Sequence, residues 1–224
     1  MNNFKYILFD LDGTITDSGE GITKAVQYAL KHFGINVENI NELKKFVGPP
    51  LRDSYMKFYN FDEDKATEGI KVFREYYEEK GMFENSLYSG IVEVLQALKK
   101  NGKVLILATS KPEVHAKKIL EHFKIDKYFT IIAGADFEET RVKKGDVIKY
   151  ALDNFKRTLN DNETLDLSQA IMVGDREHDI IGAKENNIKA IGVLYGYGDV
   201  VELTQARAFK IVNTPKDLLE ILLT

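Results

Sequence analysis

Asp10 and Asp12 flank a single leucine directly after the apolar run 6–9, and Gly13-Thr14 follows them. Two carboxylates so close together can attack an electrophile, hold a hard divalent cation or move a proton. The same residues also read as a turn, because Asp-Gly between apolar runs is the strongest short hairpin signal, and spacing alone leaves both readings open. A calcium loop fits less well: the glycine comes too early and no glutamate stands at the far end. A second acidic group, Gly174-Asp175-Arg176-Glu177-His178-Asp179, follows the apolar run 170–173. By itself it could be a polar loop in which Asp179 caps the next helix. Thr109-Ser110-Lys111 ends a third apolar run, and Lys143-Lys144 precedes a helical stretch. A carboxylate nucleophile facing a phosphate dianion meets strong repulsion, so that chemistry needs a divalent cation together with fixed cations and hydrogen-bond donors. Those residue types are the ones present.

The elements that must position these groups follow from hydrophobic periodicity. Short Val- and Ile-rich runs at 5–9, 103–108, 130–133, 170–173 and 190–194, with an edge run at 210–212, alternate with helical stretches. That alternation predicts a parallel sheet with crossover helices. Ile91, Val94, Leu95 and Leu98 fall at helical spacing, and similar stripes occupy 114–123 and 147–155. In such a sheet ligands bind beyond the carboxyl ends of the strands, which is where the acidic, hydroxyl and lysine residues fall. The segment from about 17 to 86 breaks the alternation: Ile22, Ala25, Val26, Ala29, Leu30 and Phe33 form a helical stripe closed by Gly34, and helices are predicted at 51–59 and 65–80, with a further one at 41–46. The expected fold class is α/β, a Rossmann-like parallel-sheet core (1–16 and 87–224) with an inserted all-helical cap domain (17–86). The Asn-, Asp- and Thr-rich stretch 157–167 is expected to be a long solvated loop.

Composition narrows the partners. The chain has 224 residues, 44% of them hydrophobic and 29% charged, which is the balance of a globular protein and not of a disordered one. There are no cysteines, so disulfides, thiolate metal sites and a cysteine nucleophile are excluded and any metal must be held by oxygen or imidazole. A formal net charge of -4 offers no broad attraction to nucleic acid or anionic membrane. Met1-Asn2-Asn3-Phe4 runs into the first strand without the basic start and apolar stretch of a signal peptide, so a cytoplasmic location is expected. The expected partner is a small phosphorylated metabolite, without nucleic acid or membrane, for a monomer or weak homo-oligomer.

Four motifs in order carry a resemblance to the haloacid dehalogenase superfamily, and within it to phosphatases with a small helical cap, grouped with phosphoglycolate phosphatases and 5'-nucleotidases. Asp10-Leu11-Asp12-Gly13-Thr14 is similar to the first motif, Thr109 to the second, Lys144 to the third, and Gly174-Asp175 with Asp179 to the fourth. The resemblance covers nearly the whole chain. It implies that Asp10 is the nucleophile and Asp12 the general acid and base. It implies Mg2+ held by the Asp10 side chain, the Asp12 carbonyl and the Asp175 side chain, with Asp179 orienting a metal-bound water. Thr109 and the Ser110 amide would bind phosphoryl oxygens, and Lys144 would offset charge, with Lys143 as the competing lysine. A carboxylate at position 12 separates phosphate-ester transfer from the dehalogenase branch. A phosphomutase acting on sugar phosphates would use the same residues, and a non-catalytic binding protein would keep only the fold.

Weaker features carry two readings each. Gly48-Pro49-Pro50-Leu51-Arg52 is either a plain helix start or, by the same resemblance, a cap loop whose Gly48 and Arg52 meet the substrate. Phe73, Tyr76 and Tyr77 read either as the lining of a nucleobase pocket or, at the helical spacing they have, as the core of the cap, and the spacing favours the core. His32, His115 and His122 read as surface or half-buried side chains, and His178 has no assigned role. Tyr195-Gly196-Tyr197-Gly198 borders a strand end but lacks the third glycine of a dinucleotide fingerprint.

Overall fold

Strand β1 (Tyr6–Phe9) is buried at all four positions, the pattern of a parallel strand covered on both faces. It lies inside a six-stranded parallel sheet of order β5-β4-β1-β6-β7-β8, with β4 at Val104–Pro112, β5 at Phe129–Ala135, β6 at Ala170–Gly174, β7 at Lys189–Val193 and β8 at Lys210–Val212. The computed structural model describes residues 4–138 and 140–224; Met1, Asn2 and Asn3, which the sequence reading sets at the start of the core, and Glu139 lie outside the described residues. The six apolar runs are the six strands of this sheet, and the α/β, Rossmann-like class is the one observed.

The chain builds one side of the sheet from β1 through β4 to β5, then returns past β1 to begin the other side with β6. This reversal leaves a crevice beyond the carboxyl ends of the central strands, where loops diverge in opposite directions. The register sets the level: Phe9 pairs with Leu107 on one side and with Val173 on the other, so the residues after Phe9, Leu107 and Val173 emerge side by side. Helices α6 (Lys144–Lys156) and α7 (Glu177–Glu185) pack Val147, Ile148, Ala151, Ile180 and Ala183 into an apolar cluster with strand residues Tyr6, Leu8, Ile106 and Met172.

The chain divides into two compact units: the chain through Ile15 with Leu87–Thr224, and Thr16–Ser86. Two-residue strands β2 (Thr16–Asp17) and β3 (Ser86–Leu87) mark where the chain passes between them. The second unit is built from α1 (Gly19–His32), a 3-10 segment at Ile40–Phe46, α2 (Leu51–Tyr59), α3 (Glu63–Tyr76) and a π turn at Tyr77–Gly81. Gly34 ends α1 at φ 74, with Ile35 N–H donating to the Leu30 carbonyl at 3.0 Å, the left-handed closure that the sequence predicts. Tyr55, Phe61, Phe73 and Tyr77 are buried here; Tyr55 stacks on Phe61 and Phe73 on Tyr77.

Three expectations are corrected. Strand β4 runs on to Pro112, past the predicted end at 108, because a register shift between Ala108 and Pro112 lets it keep pairing with β5. Helices α8 (Val200–Gln205) and α9 (Pro215–Leu223) were not expected. His115, expected near the surface, is buried on α5 (Glu113–His122), with Phe137 edge-on to its ring.

Candidate active site

The Asp10 amide donates to the Val173 carbonyl at 2.9 Å, which continues the β1–β6 ladder one residue past the strand. The chain then turns sharply: Ile15 N–H donates to the Leu11 carbonyl at 2.9 Å, and Gly13 sits at φ 82, a region open to glycine at little cost. A Cβ at Gly13 would also collide with the Asp175 carboxylate, so the turn closes directly on the end of β6. Asp175 is fully buried; its Oδ2 accepts from the Tyr197 amide at 2.8 Å and its Oδ1 from the Thr14 hydroxyl at 3.4 Å.

Lys144 opens α6, and its ammonium reaches Asp10 Oδ1 at 2.8 Å, Asp179 Oδ1 at 2.9 Å and the Ala108 carbonyl at 3.1 Å. Lys143 is exposed, so Lys144 is the lysine brought to Asp10. Asp179 Oδ2 accepts from the Arg176 amide at 3.1 Å, so Asp179 caps α7 as well as facing Lys144. Lys111, at the end of β4, places its ammonium 2.8 Å from Asp12 Oδ2.

Electrostatics follow from burial. Desolvation pushes the Asp10 carboxyl up; Lys144 pulls it back and Asp179 pushes it further, leaving it at about 6. Burial, with Asp179 and Asp10 nearby, raises Asp175 well above the ordinary carboxylate range. Burial works against the charge on Lys144, but Asp10 and Asp179 outweigh it and hold its pKa above the ordinary value. Side-chain oxygens of Asp10, Asp175 and Asp179 lie within 4.8 Å of one another. Among the described residues the buried ionisable Asp and Lys side chains are Asp10, Asp12, Asp175, Asp179, Lys111 and Lys144, so four carboxyl groups face two ammonium groups. A divalent cation with oxygen ligands fits that donor set.

The structure therefore brings Asp10, Asp12, Lys144, Asp175 and Asp179 together, with Thr109 buried just beyond the β4 residue that pairs with Phe9 and Ser110 half-buried next to it. Gly48, at φ 102, and Arg52 belong to the second unit, where the Arg52 guanidinium contacts Thr67 Oγ1 at 2.9 Å and Glu63 Oε2 at 3.2 Å. Sequence reasoning gave no role to Lys111 or to the Tyr195–Gly198 turn. A side chain at Gly196 would collide with the Asp175 carboxylate and one at Gly198 with the Asp175 backbone carbonyl, so this turn is glycine-rich because it packs directly on Asp175. The Tyr195 hydroxyl is buried without a hydrogen-bond partner, and burial followed by the nearby Asp175 raises its pKa. His178 is half-buried, and desolvation lowers its pKa.

The carboxylate cluster stands at the switch point of a doubly wound parallel sheet, where proteins of this architecture bind their ligands. The chain belongs to the haloacid dehalogenase-like hydrolases, whose family model matches residues 7–193. It is 43% identical over 197 residues, 88% of this chain and 86% of the relative, to the 5'-nucleotidase of Pseudomonas aeruginosa. It is 37% identical over 218 residues, 96% of this chain and 72% of the relative, to the tyrosine-protein kinase PtkA of Mycobacterium tuberculosis. A crystal structure titled as a predicted phosphatase from Clostridium acetobutylicum superimposes with a TM-score of 0.93 at 49% identity, covering 98% of each chain. The protein is an enzyme of the phosphatase branch of this family. Among the described residues no helix is long and apolar enough to cross a membrane.

Proposed function

We propose that the protein hydrolyses a small phosphate monoester in two steps through a phosphoaspartate on Asp10, with Mg2+ bound. The observation that carries this reading is the cluster of Asp10, Asp175 and Asp179, whose oxygens lie within 4.8 Å of one another, with Asp10 already paired with a lysine. Asp10, Asp175 and the Asp12 carbonyl would hold the cation, which supplies electrostatic stabilisation for the transferring phosphoryl group.

Asp10 attacks phosphorus through one carboxylate oxygen as the bond to the leaving alcohol breaks, and Asp12 gives that alcohol its proton. Water then attacks the phosphoaspartate while Asp12 takes the proton back, releasing inorganic phosphate and restoring Asp10. Lys144, held between Asp10 and Asp179, offsets the charge brought together at phosphorus, and Thr109 with the Ser110 amide donates to the phosphoryl oxygens. The substrate class is nucleoside 5'-monophosphates ahead of phosphoglycolate, a preference supported by the 43% identity to a 5'-nucleotidase over most of both chains.

The test is Asp10→Asn, which keeps the shape but is neither nucleophile nor anion. Phosphate release from a panel of monoesters should fall at least about 10⁴-fold, the scale of losing a catalytic nucleophile. Acid quenching of the wild type during turnover should trap a phosphorylated chain that the variant does not form. Appreciable turnover by the variant would overturn the mechanism, and isomerisation of glucose 1-phosphate without phosphate release would identify a mutase.

A further inference from the structure

Asp12 is held asymmetrically. Its Oδ2 sits 2.8 Å from the Lys111 ammonium, with both side chains buried, whereas its Oδ1 is buried and has no hydrogen-bond partner. A buried carboxylate oxygen without a partner is costly unless another group uses it. Lys111 is itself fixed. It is the penultimate residue of β4, its amide donates to Thr109 Oγ1 at 3.2 Å, and its carbonyl lies against Gly134 of β5, where a Cβ would come within 2.6 Å. The lysine therefore projects from a rigid strand onto the turn that follows β1.

We infer that Lys111 is a positioning residue for proton transfer, clamping one oxygen of Asp12 so that the other is presented to the bridging oxygen of the substrate. This rests on the acid–base role proposed above for Asp12. In the first step a P–O bond to Asp10 forms, the P–O bond to the alcohol breaks with its electron pair staying on the alcohol oxygen, and the proton on Asp12 Oδ1 moves to that oxygen. In the second step water adds to phosphorus, the bond to Asp10 breaks, and Oδ1 accepts the water's proton. Oδ2 stays on Lys111 throughout, so the carboxyl does not rotate between the two transfers. A planar carboxyl released from the ammonium that anchors it rotates about its Cβ–Cγ bond, and misplacing a proton donor by an ångström is enough to lose much of its contribution.

The experiment compares Lys111→Met, Lys111→Arg, Asp12→Asn and the double variant on two substrates: p-nitrophenyl phosphate, whose leaving group needs little protonation, and an alkyl phosphate, whose leaving group needs it. Proton donation typically contributes about 10²- to 10⁴-fold, so a misplaced donor should cost about 10-fold or more on the alkyl ester and much less on the aryl ester. Lys111→Arg should recover part of the alkyl activity. In the Asp12→Asn background, loss of Lys111 should add little, and because that pair buries no lone carboxylate, the comparison holds even where Lys111→Met folds poorly. Equal losses on both esters, or full additivity with Asp12→Asn, would overturn the inference while leaving the acid–base reading intact. If Asp12→Asn itself failed to discriminate between the esters, the acid–base reading would fall, and this inference with it.

Discussion

Asp175 and Asp179 share one short motif, yet their surroundings give them different tasks. Asp175 is wrapped by glycines and accepts only from the Tyr197 amide and the Thr14 hydroxyl in the hydrogen bonds given above; Asp179 is engaged by Lys144 and by the start of α7. Asp175→Asn should therefore weaken Mg2+ affinity by about 10-fold or more, since a hard divalent cation loses an anionic ligand. Asp179→Asn should instead lower stability by roughly 1–3 kcal/mol, because a buried ammonium loses a partner. Calorimetric titration with Mg2+ and urea unfolding of both variants separate these outcomes, and reversed roles would refute the assignment. The motif spacing was legible in the sequence, but this division of labour was not, because it depends on which neighbour each carboxylate meets.

At the scale of elements, the lysine reaches the carboxylates because α6 and α7 approach closely. A Cβ at Gly182 of α7 would stand 2.8 Å from the Gly145 amide nitrogen and 3.0 Å from the Lys144 carbonyl carbon, so the two helices touch backbone to backbone one turn after Asp179. Helix propensity alone would make Gly182→Ala favourable by about 1 kcal/mol. The contact reverses the sign: forcing a methyl group between packed backbones costs about 1–3 kcal/mol. The variant should therefore unfold at lower urea and lose kcat as Lys144 is displaced; a more stable, fully active Gly182→Ala would disprove the argument. Most elements were legible because their periodicity spans several turns or alternations. The exceptions have local causes: α8 is only six residues long, and α9 is marked in the sequence by its start, a Thr214 capping box to Asp217 with Pro215 in the first turn, more than by a long apolar stripe.

For the molecule as a whole, the excess of buried carboxyl over ammonium groups couples stability to pH and metal. Asp10 is raised from 3.8 to about 6 and Asp175 is raised as well, so the folded chain holds these protons more tightly than the unfolded chain does. For such groups the folded state is favoured most below the unfolded value, and the advantage is lost as pH rises through the folded value. The Asp10 shift alone corresponds to roughly 3 kcal/mol lost between about pH 4 and pH 7 in metal-free protein. On the proposed reading, Mg2+ would compensate the ionised carboxylates and should add more stability at pH 7.5 than at pH 4.5. Urea unfolding at both pH values, with and without Mg2+, measures the difference; an equal increment at both would contradict it.

The sequence by itself determined the sheet, its crossover helices and the strand ends at which chemistry gathers. Alternating apolar runs can be buried only as a covered parallel sheet, and that sheet opens at its carboxyl edge. It also determined which residue types stand there. Only the tertiary structure decided the pairings: Lys144 over Lys143, Lys111 on Asp12, and the Tyr195–Gly198 turn folded around Asp175. Adjacent lysines look alike in one dimension, and contacts that join residues 22 positions apart, as Asp175 and Tyr197, or 99 apart, as Asp12 and Lys111, leave no periodic trace. Those choices follow from the register of β1 with β4 and β6 and from the close approach of α6 to α7, which exist only once the chain has packed.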